Sequence, residues 1–81
     1  MGITEDLADK LAIDTLKAVD ATGDEDLIKE VSETLGATSQ TAQEAFLTSV
    51  RVRRADNRAR AYLLERVKAF KTSREGGGPS S

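Results

Sequence analysis

Apolar residues recur along this chain at steps of three and four, and only two glycines, Gly23 and Gly36, interrupt the body. That period belongs to amphipathic helices; no stretch shows the sustained alternation that a half-buried strand needs. Ala, Leu, Glu, Lys and Arg, all good helix formers, dominate, and the one proline, Pro79, lies at the C-terminal end. The pattern predicts an all-α fold of three helical segments.

The first segment runs from Thr4 to Val19. Leu7, Ala8, Leu11, Ala12, Thr15, Ala18 and Val19 form its apolar face, widened by Leu16, while Asp6, Asp9, Lys10, Asp14 and Lys17 fall on the other side. Thr4 suits the N-cap, and Ile13 lies off the stripe. The second segment spans Asp24 to Leu35, with a narrow stripe of Leu27, Ile28, Val31 and Leu35. The run Thr22-Gly23-Asp24-Glu25 matches a capping box at its start, or Asp24 caps instead. Gly36 is placed to end it with a positive φ.

The third segment opens after a cap at Thr38 or Ser39 and reads as one helix to Lys71. The steps Ala42, Ala45, Ser49, Val52, Ala55 or Asp56, Ala59, Leu63, Val67 and Phe70 keep a spacing of three or four throughout. Asp56-Asn57 is its weakest point, because both residues favour local turns, and a break there is the alternative. The expected architecture is two short acidic helices packed along one long Arg-rich C-terminal helix.

Length adds a boundary. A chain of 81 residues has room for one domain, assigned to residues 1–75. The run Gly-Gly-Gly-Pro-Ser-Ser at 76–81 carries no apolar group that could repay the entropy of ordering, and is expected as a disordered tail. There is no cysteine, so neither disulfides nor thiolate metal sites arise. Without an apolar run of membrane-spanning length or a secretory leader pattern, the expectation is a soluble, cytoplasmic protein.

Charge is sorted by position. Residues 1–37 hold ten acids and three lysines, a net of −7; residues 38–81 hold nine bases and four acids, a net of +5. Either the halves neutralise each other in the fold, or the basic half faces a partner. The densest stretch is Arg51, Arg53, Arg54, Arg58 and Arg60, side chains that hold carboxylates or phosphates bidentately. Asp56 lies within helical reach of Arg60 and Arg53.

Catalysis has little material. Histidine, cysteine and tryptophan are absent, so no serine or threonine has a familiar base to activate it. No glycine-rich phosphate loop is present. The acids after Asp20 start like a calcium loop, but Glu25 and Val31 stand where glycine and a bidentate glutamate belong. Neither cofactor, metal nor small-molecule substrate is implied.

One stretch, from Ile28 to Phe46, resembles the bacterial helix-turn-helix pattern: Leu35-Gly36 closes one helix, Thr38-Ser39 opens the next, and Ala42 and Ala45 offer small contacts at the crossing. Ser32 departs from it, since an alanine is usual there. The resemblance implies base contacts from Ser39, Gln40 and Gln43. These carry no positive charge, and the sequence pI of about 5.1 suits phosphate binding poorly.

The sequence therefore points to a small non-enzymatic helical module for protein–protein interaction or regulation, with self-association as one form. A helix-turn-helix nucleic-acid regulator is the alternative. The expected partner surface is the arginine group together with an apolar interface of Phe46, Val50, Leu64 and Phe70.

Overall fold

The computed structural model describes the backbone of residues 2–77 and the side chains of residues 2–73. It is all-α: helix α1 covers Ile3–Thr22, α2 covers Asp26–Gly36 and α3 covers Gln40–Gly77, with no strand among the described residues. Gly76 and Gly77, expected in the tail, close α3; residues 78–81 lie outside the described residues.

The helix starts differ from expectation in instructive ways. α1 is capped at Gly2 rather than Thr4, because the Glu5 carboxylate reaches back to accept from the Gly2 N–H at 3.0 Å. At the other end Gly23 takes a left-handed conformation, φ 75°, and its N–H donates to the Val19 carbonyl at 2.7 Å. That geometry is open to glycine at no steric cost. The turn into α2 uses a relay instead of a single capping box. Thr22 Oγ1 accepts from the Asp24 N–H, and Asp24 Oδ1 accepts from the Asp26 N–H.

Gly36 has no positive φ; among the described residues Gly23 alone does. The chain leaves α2 through Ala37 in right-handed geometry, and the Ser39 N–H donates to the Leu35 carbonyl at 2.8 Å. Gly36 is small for another reason: a Cβ there would lie 2.5 Å from Gln43 Nε2. Ser39 then caps α3, its hydroxyl accepting from the Ala42 N–H at 3.1 Å.

α3 is unbroken through Asp56-Asn57. Both residues are exposed, and Asp56 accepts from Arg60 one turn on at 2.8 Å, which ties the weak point into the helix surface.

The core is small. Ala8 and Ala12 of α1 meet Phe46 and Val50 of α3, and Phe46 is completely buried. Leu11, Leu16, Ile28, Val31, Leu35 and Leu47 pack around them half-buried. Alanine on the α1 side lets the helices approach until one phenylalanine fills the space between them. Leu7, expected on the buried face, is 62 % exposed; the true inner row is Ala8, Ala12, Thr15 and Val19.

Direction follows from the partners. Asp9 bonds Ser49 and Arg53 of α3, and near the opposite end of α1, Leu16 and Asp20 border Asn57, so α1 and α3 run parallel. In α2, Glu25 meets Arg54 while Ser32 meets Gln43, so α2 runs antiparallel to α3. Both short helices therefore lie side by side against residues 40–57 of α3, rather than end to end along its whole length. Every residue from Arg54 to Ser73 is exposed, and from about Arg58 to Ser73 α3 extends beyond the reach of α1 and α2.

Candidate functional site

The five arginines expected as candidate partner-binding residues are divided by the fold. Arg53 turns inward against α1, where its Nε and Nη2 donate to Asp9 at 2.7 and 2.5 Å. Ser49 Oγ adds a third donor to the same carboxylate at 2.5 Å. Asp9 had been expected on the solvent face of α1; it is the polar edge of the α1–α3 contact. Its carboxyl is held at about 2, below the ordinary 3.8, first by the Arg53 hydrogen bond and then by that from Ser49. The same bond raises Arg53 above its ordinary value. With 37 % and 47 % of the two side chains exposed, water screens the pair, so it fixes geometry more than it adds stability.

Arg54 donates to Glu25 at 2.7 Å and ties the start of α2 to α3. Arg60 is raised above its ordinary value by its bond to Asp56. Arg51 and Arg58 are exposed and form no hydrogen bond or ion pair with the described residues. Three of the five thus neutralise acids of the same chain.

The expected apolar interface also divides. Phe46 and Val50 are core, 0 % and 4 % exposed, and so are not available to a partner. Their aromatic and β-branched bulk is what the alanines of α1 require opposite them. Leu64 and Phe70 do lie on the surface, and Tyr62, Leu63 and Val67 join them there. Arg66 Nη1 donates to the Tyr62 hydroxyl at 3.1 Å across one turn. Leu63 and Val67 read in the sequence as part of the apolar pattern of the third helix; what marks them as surface is that no residue of α1 or α2 reaches that far along α3.

Helical phase separates two faces of α3. Phe46, Val50 and Leu64 share the face turned toward the short helices. Ala45, Ser49, Val52, Leu63, Val67 and Phe70 share another, roughly a third of a turn away at 3.6 residues per turn. Along its first half this second face floors an open groove of about 600 Å³, whose walls include Glu5, Asp6 and Asp9 of α1 and Glu44 of α3.

At the α2–α3 corner, Gln43 Nε2 donates to the carbonyl of Ser32 at 3.0 Å and to its hydroxyl at 3.3 Å. Ser32, the residue that departs from the helix-turn-helix pattern, is buried and supplies this bond. Ser39 is occupied as a cap, and Gln40 lies 3.5 Å from Glu44 on the surface. Of the three residues expected at base edges, only Gln40 is exposed.

Among the described residues no cluster of His, Asp or Glu is arranged to hold a metal ion, and no helix is long and apolar enough to cross a membrane. Compared with protein-family models, curated proteins and solved structures, the chain matches none. The functional reading therefore stands on the geometry of this chain.

Proposed function

We propose that the protein is a small non-enzymatic module for protein–protein interaction, and that the projecting half of α3 is its contact element. The observation that supports this is the exposure of Leu63 at 61 %, Leu64 at 63 % and Tyr62 at 63 % on a helix held firmly at its other end. Together with Val67 and Phe70 they leave large side chains in water over about two turns, which supports a surface that another macromolecule covers. A continuous helix also carries them at a fixed angle to the body. Partner docking therefore requires little ordering of the chain.

The nucleic-acid reading loses support at the corner, where Gln43 and Ser39 are bonded within the chain. It also lacks a stacking platform beside the arginines, with Tyr62 the one aromatic near them.

A photoreactive benzophenone side chain placed at position 63, with position 65 on the opposite side of α3 as control, tests the assignment in the source cells. A protein adduct at 63 and not at 65 is the expected result. Adducts to nucleic acid, or none at 63, overturn it.

A further inference from the structure

We infer that the partner is a second copy of this chain, with the projecting half of each α3 lying antiparallel in the groove between α1 and α3 of the other. The inference rests on the interaction reading above and names its occupant.

Side-chain size comes first. The shared face of α3 carries small residues in its held half, Ala45 and Ser49, ending at Val52. It carries large ones in its projecting half, Leu63, Val67 and Phe70. The two rows have the same length: Ala45 to Val52 and Leu63 to Phe70 are each a step of seven. A step of eleven leads from Val52 to Leu63, close to three whole turns, which keeps the rows in line. Turning one copy end for end about a point near Asn57 sets Leu63 over Val52 of the second copy and Phe70 over Ala45. Large side chains then enter the groove that the small ones leave open.

Charge comes second and is independent of size. The groove wall carries Glu5 and Asp6, with Glu44 across from them; Asp9, on the same wall, is already held by Arg53 and Ser49. The projecting half carries Arg66, Lys68 and Lys71, none of which forms an ion pair with the described residues. Antiparallel docking brings Arg66 and Lys71, which flank the row of Leu63, Val67 and Phe70, over those acids. A parallel pair would set base against base and acid against acid. Electrostatic fit of this kind selects the partner and its orientation more than it adds affinity. It also gives the charge sorting of the sequence a use that the internal ion pairs leave open. They occupy Asp9, Glu25 and Asp56 but none of the bases beyond Arg60.

The arrangement is closed. Each copy offers one groove and one projecting helix, and a two-fold axis uses both at once, so the assembly stops at two.

The absence of native cysteine makes a direct test available. Val52→Cys and Leu63→Cys replace exposed side chains and leave the core untouched. Under mild oxidation, a mixture of the two variants should form a crosslink from position 52 to position 63, faster than either variant links to itself. Sedimentation equilibrium of the unmodified chain should show monomer and dimer, and Lys71→Glu should weaken the dimer roughly tenfold. Adding Asp6→Lys in the same chain, which leaves the Glu5 cap of α1 in place, should recover most of that loss. Preferred 52–52 and 63–63 crosslinks overturn the antiparallel pairing. A monomer at all concentrations overturns self-pairing. In that case a heterologous protein adduct at position 63 leaves the broader interaction reading intact, whereas no adduct removes both.

Discussion

Asp9 and Arg53 stand 44 positions apart in sequence and meet side by side across the α1–α3 contact, guanidinium against carboxylate, with Ser49 donating to the same acid. The pair locks the axial register of the two helices, because a slip of one turn would leave both groups facing the wrong neighbour. Its pH signature follows from the carboxyl being held at about 2. A carboxyl lowered in the fold contributes stability above its unfolded value, near 4, and loses it as the pH falls toward 2. Acid titration of the native chain followed by circular dichroism should show a loss of stability in that window. The Asp9→Asn variant should be less stable at neutral pH and flatter between pH 4 and 2.

Phe46 fills the centre of a core lined by two alanines and a valine. Phe46→Ala leaves a cavity that α1 cannot collapse into, and should cost about 3–5 kcal/mol. A domain of this size has roughly 4–11 kcal/mol in total, so urea unfolding should show a sharply lowered midpoint for the variant. Leu64→Ala, on the surface of the projecting half, should change monomer stability by no more than about 0.5 kcal/mol.

Gly36 and Gln43 are coupled. Gly36→Ala adds helix propensity of up to about 1 kcal/mol. Its Cβ displaces the Gln43 amide from Ser32, a loss of about 0.5–1.5 kcal/mol. The single variant should therefore be close to neutral in thermal unfolding. In a Gln43→Ala background the same change should stabilise, and a double-mutant cycle should return a coupling near 1 kcal/mol.

Gly23 has open space around the position of a Cβ, so only its backbone conformation resists substitution. Gly23→Ala should destabilise by about 1–2 kcal/mol. Gly23→Asn should cost less, since asparagine tolerates the left-handed region. Comparison of the two by chemical denaturation separates conformational strain from crowding.

Helix number, helix type and the continuity of α3 were legible in the sequence, because spacing and breakers are local properties. The roles of the two internal glycines were not. Gly23 reads as part of a cap and turns out to carry the left-handed turn; Gly36 reads as that turn and instead clears a path for a glutamine from the next helix. Which apolar residues of α3 would be covered was also hidden, since periodicity does not say how far α1 and α2 reach. Phe46 and Leu64 look alike in the pattern and differ only in what lies beside them. Among the arginines, Arg60 found the Asp56 partner its spacing allowed, while Arg53, equally well spaced, was drawn to Asp9 by packing.

The lone half of α3 gives the molecule extents of 65 × 30 × 13 Å and a radius of gyration of 18.6 Å. A compact chain of the same length would have about 12 Å. A particle of that form meets more friction than its mass implies. A single copy will travel through a sizing column ahead of globular standards of equal weight, at a volume easily mistaken for that of a pair. Two copies laid antiparallel would share one long axis, doubling the mass with little added length, and the frictional ratio would fall on association.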